Sequence, residues 1–368
     1  MARAPSPTLV RSLRVAPLNI ALHAPFGISR GALATAANAL VAVELSDGTL
    51  GHGEAAPFEA YNGETQSAAI GALSRAAAWL PGRDAADWRV IAADFRAWGG
   101  SGCGAARCAL ETALVDAVAR RERMPLWRVF GGAGTELTTD MTVTTGSPAD
   151  AAQAARAIRR RGIRAIKAKV GGPGGAAADL ERISAILEAA PGSPLILDGN
   201  AGMDRRRAGE LVGALRSRGI TPALLEQWLP ADDLEGMRSL GAESGWRVAA
   251  DEGVATAEDA ARAVAARAAT VFNVKLMKSG VAEALSVVSI AREAGIGLMI
   301  GGNIESVLGM TMSACFAAGL GGFEFADLDT PFFMAENPFE GGYSVEGDRV
   351  SVAHIAAGHG VVPRGLLL

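Results

Sequence analysis

Only four of the 35 basic Lys and Arg residues in this 368-residue chain are lysines, and they fall in two short segments. Lys167 and Lys169 lie in IKAKV, and Lys275 and Lys278 lie in VKLMKSG. Elsewhere the chain carries its positive charge on arginine. A desolvated lysine can give up its proton and act as a base, whereas an arginine stays protonated. Paired lysines at the ends of two apolar runs therefore point to proton transfer. Between these segments, three further apolar runs end in carboxylates, at Asp198, Glu226 and Asp251. Converging carboxylates repel unless a cation neutralises them. An all-oxygen set without nearby His or Cys suits a hard ion, Mg²⁺. Asp327 and Asp329, two residues apart on a later run, face one side and would attract a cationic substrate group.

The elements needed to converge these groups are visible in the pattern. From about residue 136, eight short apolar runs alternate with seven amphipathic helical stretches: 141–145, 165–170, 194–200, 223–229, 247–253, 271–277, 297–303 and 323–329. Even βα spacing predicts an α/β fold, a modified (β/α)8 TIM-like barrel, over an open doubly wound sheet. In such a barrel, chemistry collects where strands end. Strands two and six lie diametrically opposite, so Lys169 and Lys275 would face each other across the mouth. The metal carboxylates of strands three to five lie on the arc between them, and Asp327 and Asp329 lie opposite that arc. Before the barrel, residues 8–58 read as three β-rich stretches with a turn at Ser46-Asp47-Gly48. Helices follow over about 64–80 and 104–123. We expect an N-terminal α+β capping domain over 1–135, completed by 340–368, and a barrel over 136–339. The β-like stretch 343–352 is expected to return to the cap.

Composition narrows the rest. The net charge of −4 and the absence of a basic tract argue against nucleic acid. No apolar run reaches the roughly 18 residues of a membrane span. Three cysteines form no framework and no CxxC, which, with an N-terminus lacking a signal-peptide core, points to the cytoplasm. A homo-oligomer without nucleic-acid or membrane partners is expected. The four histidines form no cluster in the sequence.

Lys167-x-Lys169, Asp198-x-Asn200, Glu226-Gln227, Asp251-Glu252 and NVKLMKSG (273–280) together resemble the enolase superfamily, in its muconate-lactonizing branch. HAPFGISRG (23–31), GHGEAAP (51–57) and AARCALETALVDAVARR (105–121) extend the resemblance over nearly the whole chain. It implies a capping domain closing on a modified barrel and one Mg²⁺ per subunit held by Asp198, Glu226 and Asp251. It also implies Lys169 and Lys275 as acid/base catalysts, with Lys167 withdrawing charge from the substrate carboxylate. A lysine base working with Mg²⁺ on an ene-diolate is a pattern of that superfamily. The Asp327-x-Asp329 element is similar to that of the dipeptide epimerases, where such a pair binds the substrate ammonium. Arg30 matches an arginine that meets a Glu side chain, which implies an L-Ala-D/L-Glu dipeptide as substrate. Lys278 and Asn303 complete the expected substrate contacts.

The implied reaction is 1,1-proton transfer at the α-carbon of the C-terminal residue. N-acylamino-acid racemisation, o-succinylbenzoate synthesis and muconate cycloisomerisation use the same scaffold, but their substrates lack a free ammonium for Asp327 and Asp329. A metal-free Schiff-base lyase using Lys275 is the alternative from a different chemistry. Trp228, Val281 and Gly199 depart from the residues usual at their positions, without removing a catalytic group.

Overall fold

The computed structural model describes residues 6–28, 31–100 and 102–365. Three antiparallel strands, β1 (Val10–Ile28), β2 (Gly31–Leu45) and β3 (Leu50–Ala55), form the N-terminal sheet. The β2–β3 turn falls at the expected place, with Gly48 at φ 88° and the Asp47 carboxylate accepting from the Thr49 N–H at 2.9 Å. Helices Gln66–Trp79 and Gly104–Arg121 cover the sheet, and helix Trp88–Phe95, not anticipated from the sequence, packs against the latter. Helix Gly104–Arg121 lies unusually close to β3. A Cβ on Gly53 would stand 2.0 Å from the Ala109 carbonyl oxygen, so GHG and the alanines of the helix are one packing solution.

After the linking strand β4 (Glu136–Thr138), eight parallel strands follow in sequence order. They are β5 (Met141–Val143), β6 (Ile166–Lys169), β7 (Leu195–Asp198), β8 (Leu224–Glu226), β9 (Val248–Ala250), β10 (Val271–Val274), β11 (Gly297–Ile300) and β12 (Phe323–Ala326). Each of the eight expected runs contains one of them. The seven long intervening helices are Pro148–Arg160, Gly175–Ala189, Arg205–Ser217, Leu234–Ser244, Ala257–Ala266, Val281–Glu293 and Val307–Leu320, with a single extra turn at Leu276–Ser279. The fold is a (β/α)7β variant of the TIM barrel beneath an α+β cap. Its β5–β12 seam is held by the Asp140 N–H donating to the Ala326 carbonyl at 2.9 Å and the Thr142 N–H donating to the Asp329 carboxylate at 2.7 Å.

Side-chain alternation builds the interior in layers. Ile196, Leu224, Ala249, Val271, Met299 and Phe325 pack as an apolar plug inside the barrel. Two residues further along those strands come Asp198, Glu226, Asp251, Asn273, Gly301 and Asp327, which share the same inward face one level higher.

Two buried cap glutamates lock the cap to this scaffold. Glu54 accepts from Ser306 Oγ at 2.6 Å and from the Gly309 N–H at 2.9 Å, at the start of helix Val307–Leu320. Glu111 accepts from the Ala282 N–H at 2.8 Å, at the start of helix Val281–Glu293. Both place carboxyl oxygens where the first N–H groups of a helix need acceptors. The C-terminal return differs from expectation. Strand Arg349–Ser351 pairs with β4 on one side and with strand Ser344–Glu346 on the other, ahead of the first barrel strand. Contact with the cap comes instead from the following stretch, where Gly358 bonds to Met124 and Leu126. There His359 Nε2 lies 3.0 Å from the His52 carbonyl oxygen, and the backbone N–H groups of both histidines donate to Asp116, so two of the histidines do meet.

Burial lifts the Glu111 carboxyl from its ordinary 4.5 to about 7. The folded chain therefore binds this proton more tightly than the unfolded chain does. The stability it contributes is complete below 4.5 and is lost as pH rises through about 7. Glu111→Gln should flatten the stability-versus-pH curve, measured by urea unfolding, between those values. An unchanged slope would contradict the assignment.

Candidate active site

Strand register brings the chemistry together. Lys169 pairs with Asp198, and Asp198 with Glu226, so adjacent strands present these three side chains at one level. Lys167 lies one inward step below Lys169, and its ammonium is surrounded by carboxylates. Lys167 Nζ is 2.7 Å from Asp327 Oδ2, 3.0 Å from Glu226 Oε2 and 3.1 Å from Asp198 Oδ2. Lys169 Nζ reaches Asp198 Oδ2 at 2.6 Å. On the far side, Lys275 Nζ reaches Asp251 Oδ2 at 2.7 Å. Lys169 and Lys275 line one pocket together with Lys167, Thr142, Asn200, Asn303, Asp327 and Asp329.

Asp198, Glu226 and Asp251 are fully buried. Burial would raise Asp198, but Lys167 and Lys169 hold it down at about 2. Burial and the neighbouring Asp198 lift Glu226 to about 7, and burial beside Asp251 lifts Glu252 to about 8. Burial alone would lower the Lys275 ammonium, yet Asp251 outweighs it and raises the group above its ordinary value. Lys167 is raised in the same way, by Asp198, Asp327 and Glu226 against burial. The chain thus stores excess carboxylate at this end of the barrel, with Glu226 Oε2 accepting no well-formed hydrogen bond. A hard divalent cation fits that donor set.

Several residues stand differently from expectation. Lys278 does not line the pocket. Its ammonium meets the carbonyls of Asp251, Asn273 and Val254 at 2.5, 2.7 and 2.9 Å and the Asp251 carboxylate at 2.9 Å, so it pins the strand ends together. Asn303 does line the pocket, with Nδ2 donating to the Ala56 carbonyl at 2.9 Å and Oδ1 unpartnered. Asp327 is not apart from the carboxylate arc, because Lys167 ties it to Asp198 and Glu226. Asp327 Oδ1 and Asp329 Oδ1 remain buried without partners. The tightest carboxylate trio among the described residues is Asp140, Asp327 and Asp329, with oxygens within 4.8 Å of one another. Arg30 lies outside the described residues.

Tyr61, from the cap, is not singled out by the sequence except as part of the expected covering loop 58–64. Its hydroxyl donates to Asp251 Oδ1 at 3.2 Å, and the Lys275 ammonium sits 4.6 Å from the centre of its ring. Phe26 and Phe58 of the cap and Ile304 of the barrel complete the pocket wall.

Residues 10–131 match the mandelate racemase/muconate lactonizing enzyme N-terminal domain, and residues 149–365 match the enolase C-terminal domain-like family. The chain belongs to the mandelate racemase/muconate lactonizing enzyme family of the enolase superfamily. It is 48% identical to the aromatic dipeptide epimerase of Herpetosiphon aurantiacus, over 96% of this chain and 99% of that one. It is 33% identical to the L-Ala-D/L-Glu epimerase of Thermotoga maritima, over 89% and 94%. A dipeptide epimerase structure from Enterococcus faecalis, complexed with Mg and L-Leu-L-Tyr, superposes with TM-score 0.91 at 30% identity, covering 96% and 99%. The chain is an isomerase of this epimerase-rich family.

The departures noted in the sequence also find their places. Trp228 is wholly buried, its indole N–H donating to the Leu197 carbonyl at 2.8 Å, and it does not line the pocket. A Cβ on Gly199 would stand 2.7 Å from Trp228 Cα and 3.1 Å from Trp228 Cδ1, so Gly199 and Trp228 are one accommodation. Val281 is the buried first residue of helix Val281–Glu293. Gly199→Ala should therefore lower the unfolding free energy by about 1–3 kcal/mol, the usual range for overpacking. An unaltered urea midpoint would show that the strand end relaxes freely.

Proposed function

We propose that this chain is a Mg²⁺-dependent dipeptide epimerase that inverts the α-carbon of the C-terminal residue by 1,1-proton transfer. The observation that carries this reading is the placement of Lys169 and Lys275 in one buried pocket, on strand ends separated by the carboxylate arc. Asp198, Glu226 and Asp251 would hold the ion, and Mg²⁺ bound there would stabilise negative charge on the substrate carboxylate. Lys167, kept protonated by three carboxylates, adds a fixed positive charge beside that position. Lys275, kept protonated by Asp251, is set to deliver a proton to one face of the α-carbon. Lys169 removes the proton from the other face. For a substrate of opposite configuration the two lysines exchange tasks. Asp327 Oδ1 and Asp329 Oδ1 are free to accept from the α-ammonium of a dipeptide. That feature favours a dipeptide over the N-acyl, succinylbenzoate and muconate substrates.

Two readings of the side-chain preference compete. L-Ala-D/L-Glu rests on Arg30 as the partner of a Glu carboxylate. The lining by Phe26, Phe58, Tyr61 and Ile304 favours instead an apolar or aromatic residue, and it is this reading that the described pocket supports better. Incubation of a dipeptide library with Mg²⁺ in D₂O, followed by mass, separates them. Deuterium should enter at the α-carbon of the C-terminal residue, most rapidly with Phe, Tyr or Leu there. Fastest exchange with Glu would restore the Ala-Glu reading, and no exchange on any dipeptide would overturn the epimerase assignment.

A further inference from the structure

Asp140 is a buried carboxylate that the proposed reaction does not use. It opens the first barrel strand with its N–H bonded to Ala326 across the seam, which places it beside Asp327. By strand alternation it shares the inward face of Thr142, two residues earlier on the chain. Only 2% of its surface is exposed, and neither Oδ1 nor Oδ2 has a hydrogen-bond partner. Oxygens of Asp140, Asp327 and Asp329 all lie within 4.8 Å of one another. Buried polar groups are almost always satisfied, so two orphaned oxygens on one carboxylate need a physical explanation.

Counting charge supplies one. Lys167 is the one ammonium bonded to this trio among the described residues, through Asp327. Three ionised carboxylates against this one shared lysine would leave two negative charges for a single substrate ammonium. A proton on Asp140 removes one of those charges, and Lys167, bonded to Asp327 but shared with Asp198 and Glu226, offsets part of the remainder, which leaves the site closer to the charge of one ammonium. A neutral carboxyl also has an O–H to donate, which an ionised one lacks.

We propose that Asp140 is a positioning residue that holds a proton and donates it as a hydrogen bond to the Asp327/Asp329 pair. In that state it orients the pair and sets its charge for a single α-ammonium. The inference rests on the reading of Asp327 and Asp329 as the amine-binding pair. Burial and the neighbouring Asp327, opposed by Lys167, push Asp140 well above the usual carboxylate range, in agreement with the geometry. The groups facing it are Asp327 and Asp329 from the end of β12, Lys167 from β6 and, further across, Glu226 from β8.

Asp140→Asn keeps a donor of the same shape, and Asp140→Ala removes it. Steady-state epimerisation of a good dipeptide should be near wild type in Asp140→Asn. In Asp140→Ala, KM should rise about 10–100-fold, the range of a hydrogen bond to a charged group, with kcat changed far less. Infrared difference spectra of wild type against Asp140→Asn should show loss of the carbonyl stretch of an un-ionised carboxyl. Asn as damaging as Ala, or no such band, would overturn the inference, as would a harmless Ala substitution. Asp327→Asn/Asp329→Asn separates the two readings. If that double variant leaves dipeptide KM unchanged, the amine-binding assignment fails; if it raises KM while the Asp140 variants do not, only the role of Asp140 fails.

Discussion

Everything at the mouth of this barrel depends on one buried ammonium. Lys167 is almost wholly out of water and touches Asp198, Glu226 and Asp327 at once. Burying unpaired charge is very costly, and so is burying several carboxylates near one another. Lys167 relieves both costs by standing between strands β7 and β8 on one side and β12 on the other. It thereby joins the carboxylates that suit a divalent cation to the pair that suits an ammonium. In the proposed reading a substrate carboxylate meets the first set and its amine the second, with Lys169 and Lys275 on either side of the α-carbon.

The cap takes part in this balance as well as covering it. Glu54 and Glu111 tie it to the starts of two barrel helices, which fixes where its β3 edge and long helix lie over the strand ends. Only against that fixed cap can Tyr61 reach both Asp251 and Lys275, and Ala56 reach Asn303. The pocket wall from the cap is aromatic, while the floor from the barrel is ionic. Apolar surface over a charged floor lowers the local dielectric and strengthens each ion pair below.

Much of this was legible because strand alternation translates directly into place. The plug residues and the charged residues two positions later follow the same parity, so reading each strand end recovered Lys167, Lys169, Asp198, Glu226, Asp251, Lys275, Asp327 and Asp329. Parity also applies to Asp140, but its place at the start of a strand rather than the end hid it. Lys278 shows the opposite error: a charge beside the site that is consumed by backbone carbonyls. Tyr61 and the meeting of His52 with His359 depend on contacts between segments far apart in the chain, which periodicity does not encode. The same is true of Gly199 and Trp228, two departures from the family pattern that become one feature only when packed together.

The division of labour between Lys169 and Lys275 is the centre of the account. Exchange of the α-proton in D₂O, followed separately for the two diastereomers of one good dipeptide with Lys169→Arg and Lys275→Arg, tests it most directly. Each variant should lose net epimerisation yet retain exchange on the one diastereomer whose proton faces the lysine that remains, with opposite preference in the two variants. Equal exchange of both diastereomers in either variant would contradict two opposed lysines, each serving its own face.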